Sequence, residues 1–89
     1  MARRVNREAK IRQNPKQVRF SDLDAVMRMH GFNGDADAHH VVYKHSRFTD
    51  LTTNVPKPHG GTIHVKTIYV RNAIALIDAA TVRETEAQR

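Results

Sequence analysis

The run His39-His40-Val41-Val42-Tyr43-Lys44-His45 constrains the fold more than any other part of this chain. It alternates in character and is rich in β-branched and aromatic side chains, the pattern of a half-buried strand. Successive side chains of a strand point to opposite faces, so 39, 41, 43 and 45 share one face and 40, 42 and 44 the other. Val41 and Tyr43 are the pair suited to a core. His40 and Lys44 are then left on the exposed face with Val42.

The flanking segments supply what such a strand packs against. Ser21 is placed to cap a helix over 21–30, with Asp22 and Asp24 in a first turn where the helix dipole favours negative charge. Leu23, Val26, Met27 and His30 follow at helical spacing, and Gly31 suits the position just past the helix end. Asn33-Gly34 is a turn pair, and Phe32 to Asp37 is expected to begin a short, irregular first strand. A third strand over 51–55 turns Leu51, Thr53 and Val55 inward, and Pro56 and Pro58 end it because neither can donate to a ladder.

Gly60-Gly61 makes a loop, and a second helix starts near Thr67. There Val70, Ala73, Ile74 and Ile77 form one apolar stripe. The order is α-β-β-β-α, an α+β domain with a three-stranded antiparallel sheet and both helices on one face.

The ends read differently. Residues 1–14 have weak periodicity and are expected to be a basic arm, a frayed helix or disorder, that Asn14-Pro15 separates from the domain. Residues 15–80 form that single domain, and from Thr81 a polar tail, 81–89, should fray. At 89 residues there is no room for a second domain.

Charge is uneven along the chain. The net charge is +6. Residues 1–19 hold Arg3, Arg4, Arg7, Lys10, Arg12, Lys16 and Arg19 against Glu8 alone, so the whole excess lies there. A flexible basic arm binds polyanions without sequence preference, although it can equally be a solvated tail. Residues 40–71 carry Lys44, Arg47, Lys57, Lys66 and Arg71 against Asp50, together with His40, His45, His59 and His64. The side of the domain that bears the histidines should therefore be positive. There is no cysteine, as in a chain kept in a reducing cytosol, and no apolar run long enough for a membrane span or a secretory signal.

Several histidines beside lysines suggest proton transfer near an anionic substrate. A metal centre is disfavoured, because His39 and His40 point to opposite faces and no HExxH spacing occurs. A Ser or Cys triad lacks both a thiol and a GxSxG elbow. Cleavage of RNA asks for less. The 2′-hydroxyl is the nucleophile, so the protein needs a proton-transfer group and cations near the phosphate. His30, on the helix stripe, is best suited to packing. His39 and His64 read as incidental, whereas His45 and His59 can line a site.

From Asn14 to Ile77 the chain resembles the HicA family of bacterial toxin–antitoxin toxins, or mRNA interferases. The resemblance rests on an ordered set of motifs. Asn14-Pro15-Lys16-Gln17-Val18-Arg19-Phe20 leads into helix 1, which ends in Met29-His30-Gly31-Phe32. The strand His40-Val41-Val42-Tyr43-Lys44-His45 follows, then Val55-Pro56 with His59, and finally Val65-Lys66-Thr67-Ile68-Tyr69-Val70-Arg71. It implies a fold like a double-stranded RNA-binding domain and a cytoplasmic endoribonuclease that cleaves mRNA without a metal or other cofactor. It also implies neutralisation by a HicB-type antitoxin.

The family's active histidine stands in a Gly-Ser-His-x-x-aromatic strand. With Tyr43 as the aromatic, the match is His40, preceded by Ala38-His39 instead of Gly-Ser and by the acidic Asp35 and Asp37. His40 is thus the expected proton-transfer residue, with Lys44, Lys57, His59, His45 and Lys66 expected to contact RNA. The rival readings are a non-catalytic RNA-binding module of the same fold and a domain whose basic face docks an acidic protein.

Overall fold

A computed structural model describes the backbone of residues 2–88 and the side chains of residues 7–88. The elements are α1 (Ala2–Gln13), α2 (Phe20–Met29), β1 (Phe32–Ala36), β2 (His40–His45), β3 (Thr52–Pro56) and α3 (Thr67–Ala87). The three strands form one antiparallel sheet in the order β1-β2-β3. The class is α+β, and the order is α-α-β-β-β-α.

The alternation in β2 sets the layering. Val41, Tyr43 and His45 are buried, and His40, Val42 and Lys44 are exposed. The covered face meets two helices. Tyr43 reaches α2, where its hydroxyl donates to Asp24 Oδ1 at 2.5 Å, and His45 lies 3.6 Å from Glu84 of α3. Leu23, Val26, Met27, Phe32, Val55, Val70, Ala73 and Ile77 join Val41 and Tyr43 in one core. On the other face Asn33, Asp35, Val42, Lys44, Thr52 and Asn54 are all open to solvent.

The amino-terminal arm is helical, one of the two expected states, but it is not frayed. It is a helix docked on the domain, with Ile11 2% exposed. Glu8 Oε1 lies 2.8 Å from His30 Nε2, and Arg12 reaches Asp78 of α3 at 2.8 Å. Most of these ties are polar, so they leave little apolar periodicity for a sequence to display. The polar carboxyl-terminal tail is also helix from Thr81 to Ala87, and Arg89 lies outside the described residues. Ala80 is buried, and Arg83 makes a two-pronged pair with Asp50, 2.7 Å on each branch.

Two turn assignments change as well. Arg19, not Ser21, occupies the N-cap of α2, and no side chain caps it. Asn33-Gly34 is strand, and the β1–β2 turn falls at 37–39. A Cβ on Gly34 would stand 3.0 Å from Tyr43 and Val41 side-chain carbons and 2.9 Å from Arg28. Close packing of α2 on the hairpin therefore explains this glycine. Gly31 does take the left-handed conformation at the end of α2, with φ +89°.

Candidate nucleic-acid interface

His40 opens β2 on the uncovered face of the sheet, and its side chain is 45% exposed. Asp37 builds the turn before it. One carboxylate oxygen accepts the backbone N–H groups of His39 and His40, each at 2.8 Å. Those two amides hold the Asp37 carboxyl below the usual carboxylate range, that of His39 having the larger effect. The turn therefore keeps a negative charge 3.8 Å from His40 Nδ1, too far for a hydrogen bond.

Across the sheet His40 is paired with Pro56, and Val42 with Asn54 and Asp35. Lys44 projects from the same face, four residues along. At about 3.3 Å per residue, that places it roughly 13 Å from His40. With Asp35 and Asp37 present, this face carries both signs of charge.

The concentrated positive charge lies past the end of β3. The β3–α3 loop and the first turn of α3 enclose a pocket of about 310 Å³ whose walls include Lys57, His59, His64 and Lys66 but no carboxylate. Pro56, Pro58, Val65 and Tyr69 supply apolar surface to the same pocket. Its floor is anchored on both sides. Lys57 N–H donates to His39 carbonyl at 2.8 Å, and Val65 N–H donates to Val18 carbonyl at 2.8 Å. Pro56 belongs both to the pocket wall and to the register pair with His40, so the two features adjoin.

The expected set of RNA contacts is thus divided. Lys57, His59 and Lys66 come together in the pocket, and Lys44 stands apart on the sheet. His45 belongs neither to this pocket nor to the open sheet face, being 2% exposed. Its Nδ1 accepts the backbone N–H groups of Arg47 and Phe48, each at 3.1 Å. That arrangement assigns the proton to Nε2, which donates to His30 carbonyl at 3.1 Å. His45 is a structural clasp for the β2–β3 loop. His30 is half-buried, as its place on the helix stripe suggested, and pairs with Glu8.

The pocket adds residues that sequence reading set aside or passed over, namely His64 and Tyr69. The available signal was the Pro-x-Pro pair followed by two glycines, which returns the chain to the sheet end.

A larger hollow of about 530 Å³ lies between the end of α2 and the last turns of α3, where Arg47 and Glu84 contribute one charge of each sign. Among the described residues no group of three or more His, Asp or Glu side chains is arranged to hold a metal ion. No helix among them is long and apolar enough to cross a membrane. No family model, curated protein or solved structure matches this chain.

Proposed function

We propose that this protein is a HicA-like endoribonuclease with a double-stranded RNA-binding-domain-like core, a cytoplasmic toxin that cleaves mRNA without a cofactor. His40 is its proton-transfer residue. The observation that carries this reading is the position of His40, exposed on an uncovered sheet face with a carboxylate-free cluster of cations beginning at its cross-strand neighbour. The resemblance of the motifs from Asn14 to Ile77 supports the same assignment.

In the proposed reaction the ribose 2′-oxygen attacks phosphorus, and the P–O5′ bond breaks as the leaving 5′-oxygen takes a proton from water. The products are a 2′,3′-cyclic phosphate and a free 5′-hydroxyl. His40 takes the 2′-hydroxyl proton as the 2′-O–P bond forms. A positioned imidazole in that role supplies about 10²- to 10⁴-fold in rate. Lys57, His59 and Lys66 stabilise the charge that accumulates on the phosphate. A HicB-type antitoxin would silence the enzyme by covering the face that bears His40 and Lys44.

The test is incubation of purified protein with single-stranded RNA in EDTA. Fragments ending in cyclic phosphate are expected. Retention of RNA without cleavage would favour the binding-module reading.

A further inference from the structure

The pocket at the end of β3 is more than a patch of charge. Its volume of about 310 Å³ falls at the lower edge of the range for small-molecule sites, roughly 300–1,000 Å³. A lysine patch that only attracts a polyanion needs no concavity and no apolar wall. This pocket has both, with Pro56, Pro58 and Val65 facing the same space as the half-buried Tyr69 ring. The cations are positioned by backbone that is itself held. Lys57 follows the last β3 residue and is tied to His39, and Lys66 is the N-cap residue of α3. His64 is fixed by its bridge to Arg19.

The geometry points to a subsite for one nucleotide of single-stranded RNA, with its phosphate at Lys57 and Lys66 and its base against Tyr69 and the proline wall. This deepens the nuclease reading and rests on it for the choice of RNA as ligand. A flexible single strand suits the site, because an unstacked base must enter a hollow lined by an aromatic ring. Pro56 sets the spacing. It is His40's register partner, so the pocket wall begins one inter-strand step, about 4.8 Å, from the strand that bears the proton-transfer residue. The subsite would seat the nucleotide whose own 5′-phosphate is the scissile one, so that Lys57 and Lys66 meet the reacting phosphate beside the strand that bears His40.

The test is binding of adenosine 5′-monophosphate to the full chain, followed by amide chemical shifts and by titration calorimetry beside inorganic phosphate. Perturbed amides should cluster at Lys57, His59, Lys66 and Tyr69. The mononucleotide should bind at least about fivefold more tightly than phosphate alone, the smaller end of what base–aromatic stacking supplies. Lys57→Ala with Lys66→Ala should weaken mononucleotide binding at least tenfold, whereas Arg47→Ala, outside the pocket, should leave it within twofold.

Equal affinity for phosphate and mononucleotide would overturn the base-binding part. Shifts confined to the open sheet face, or an unchanged affinity in the double lysine variant, would overturn the subsite altogether. If the wild-type protein cleaves no RNA but the mononucleotide titrates the pocket as described, the subsite stands and the nuclease reading falls.

Discussion

Replacing His45 by alanine removes two kinds of support at once, and the structure allows each to be weighed. The backbone N–H groups of Arg47 and Phe48 lose their acceptor, Nδ1 at 3.1 Å in each case. An unsatisfied buried donor costs about 1–3 kcal/mol. Because Arg47 is exposed and water can reach part of this loop, about 1 kcal/mol for each is appropriate. The ring also packs edge-on to Phe32 at 4.9 Å and stacks on Phe48 at 5.0 Å. Such pairs contribute about 0.5–1.5 kcal/mol each beyond burial.

The expected loss for His45→Ala is on the order of 4 kcal/mol, a large share of the 5–15 kcal/mol typical of a domain. With a urea slope of about 1.5 kcal/mol/M, the unfolding midpoint should fall by roughly 2–3 M. Lys44→Ala, one residue away on the open face, should change stability by only about ±0.5 kcal/mol. Urea unfolding followed by circular dichroism measures both. A loss below about 1 kcal/mol for His45→Ala would refute the clasp, and reduced RNA affinity per folded His45→Ala molecule would return the residue to the binding surface.

Ile11→Ala should destabilise the domain by about 2–4 kcal/mol, as expected for a buried isoleucine; a thermal melt unchanged from wild type would mean that α1 does not dock. The Glu8 carboxyl is held below its ordinary pKa of 4.5, chiefly by its hydrogen bond to His30, with Arg12 adding to the effect. A depressed carboxylate contributes stability that is present above the unfolded pKa and lost as pH falls through the folded one. Glu8→Gln should therefore be less stable than wild type above pH 4.5, with the gap closing in more acid solution. A gap independent of pH would exclude the ionised carboxylate as its source. Asp35→Asn should strengthen RNA binding by up to about fivefold at low salt, with the gain fading as salt screens the face. A salt titration by fluorescence anisotropy reads that effect directly.

The β2 alternation was legible because one buried face forces a period of two. Both His40 and Lys44 fell on the open side as the pattern required. The apolar stripe of α3 was legible for the same kind of reason, down to Val70, Ala73 and Ile77. Contacts made by polar groups across the chain were not. Glu8 finds His30, Arg12 finds Asp78 and Arg83 finds Asp50 only after the elements are assembled. These ties turn a presumed loose arm and a presumed loose tail into helix.

Strand phase alone correctly set His45 on the buried face. Its chemistry suggested a ligand contact, and the loop amides that occupy Nδ1 could not be seen before the loop was built. The pocket at the end of β3 was half legible. Lys57, His59 and Lys66 stand out as cations, but the enclosing wall of Pro56, Pro58 and Tyr69 depends on how the loop returns to the sheet.

Proton transfer by His40 is tested by single-turnover cleavage of a single-stranded RNA in EDTA by wild-type and His40→Ala proteins of equal measured stability. The wild type should give cyclic-phosphate products and His40→Ala a rate at least about 10²-fold lower, with RNA still bound. Cleavage by folded His40→Ala at the wild-type rate would contradict that role.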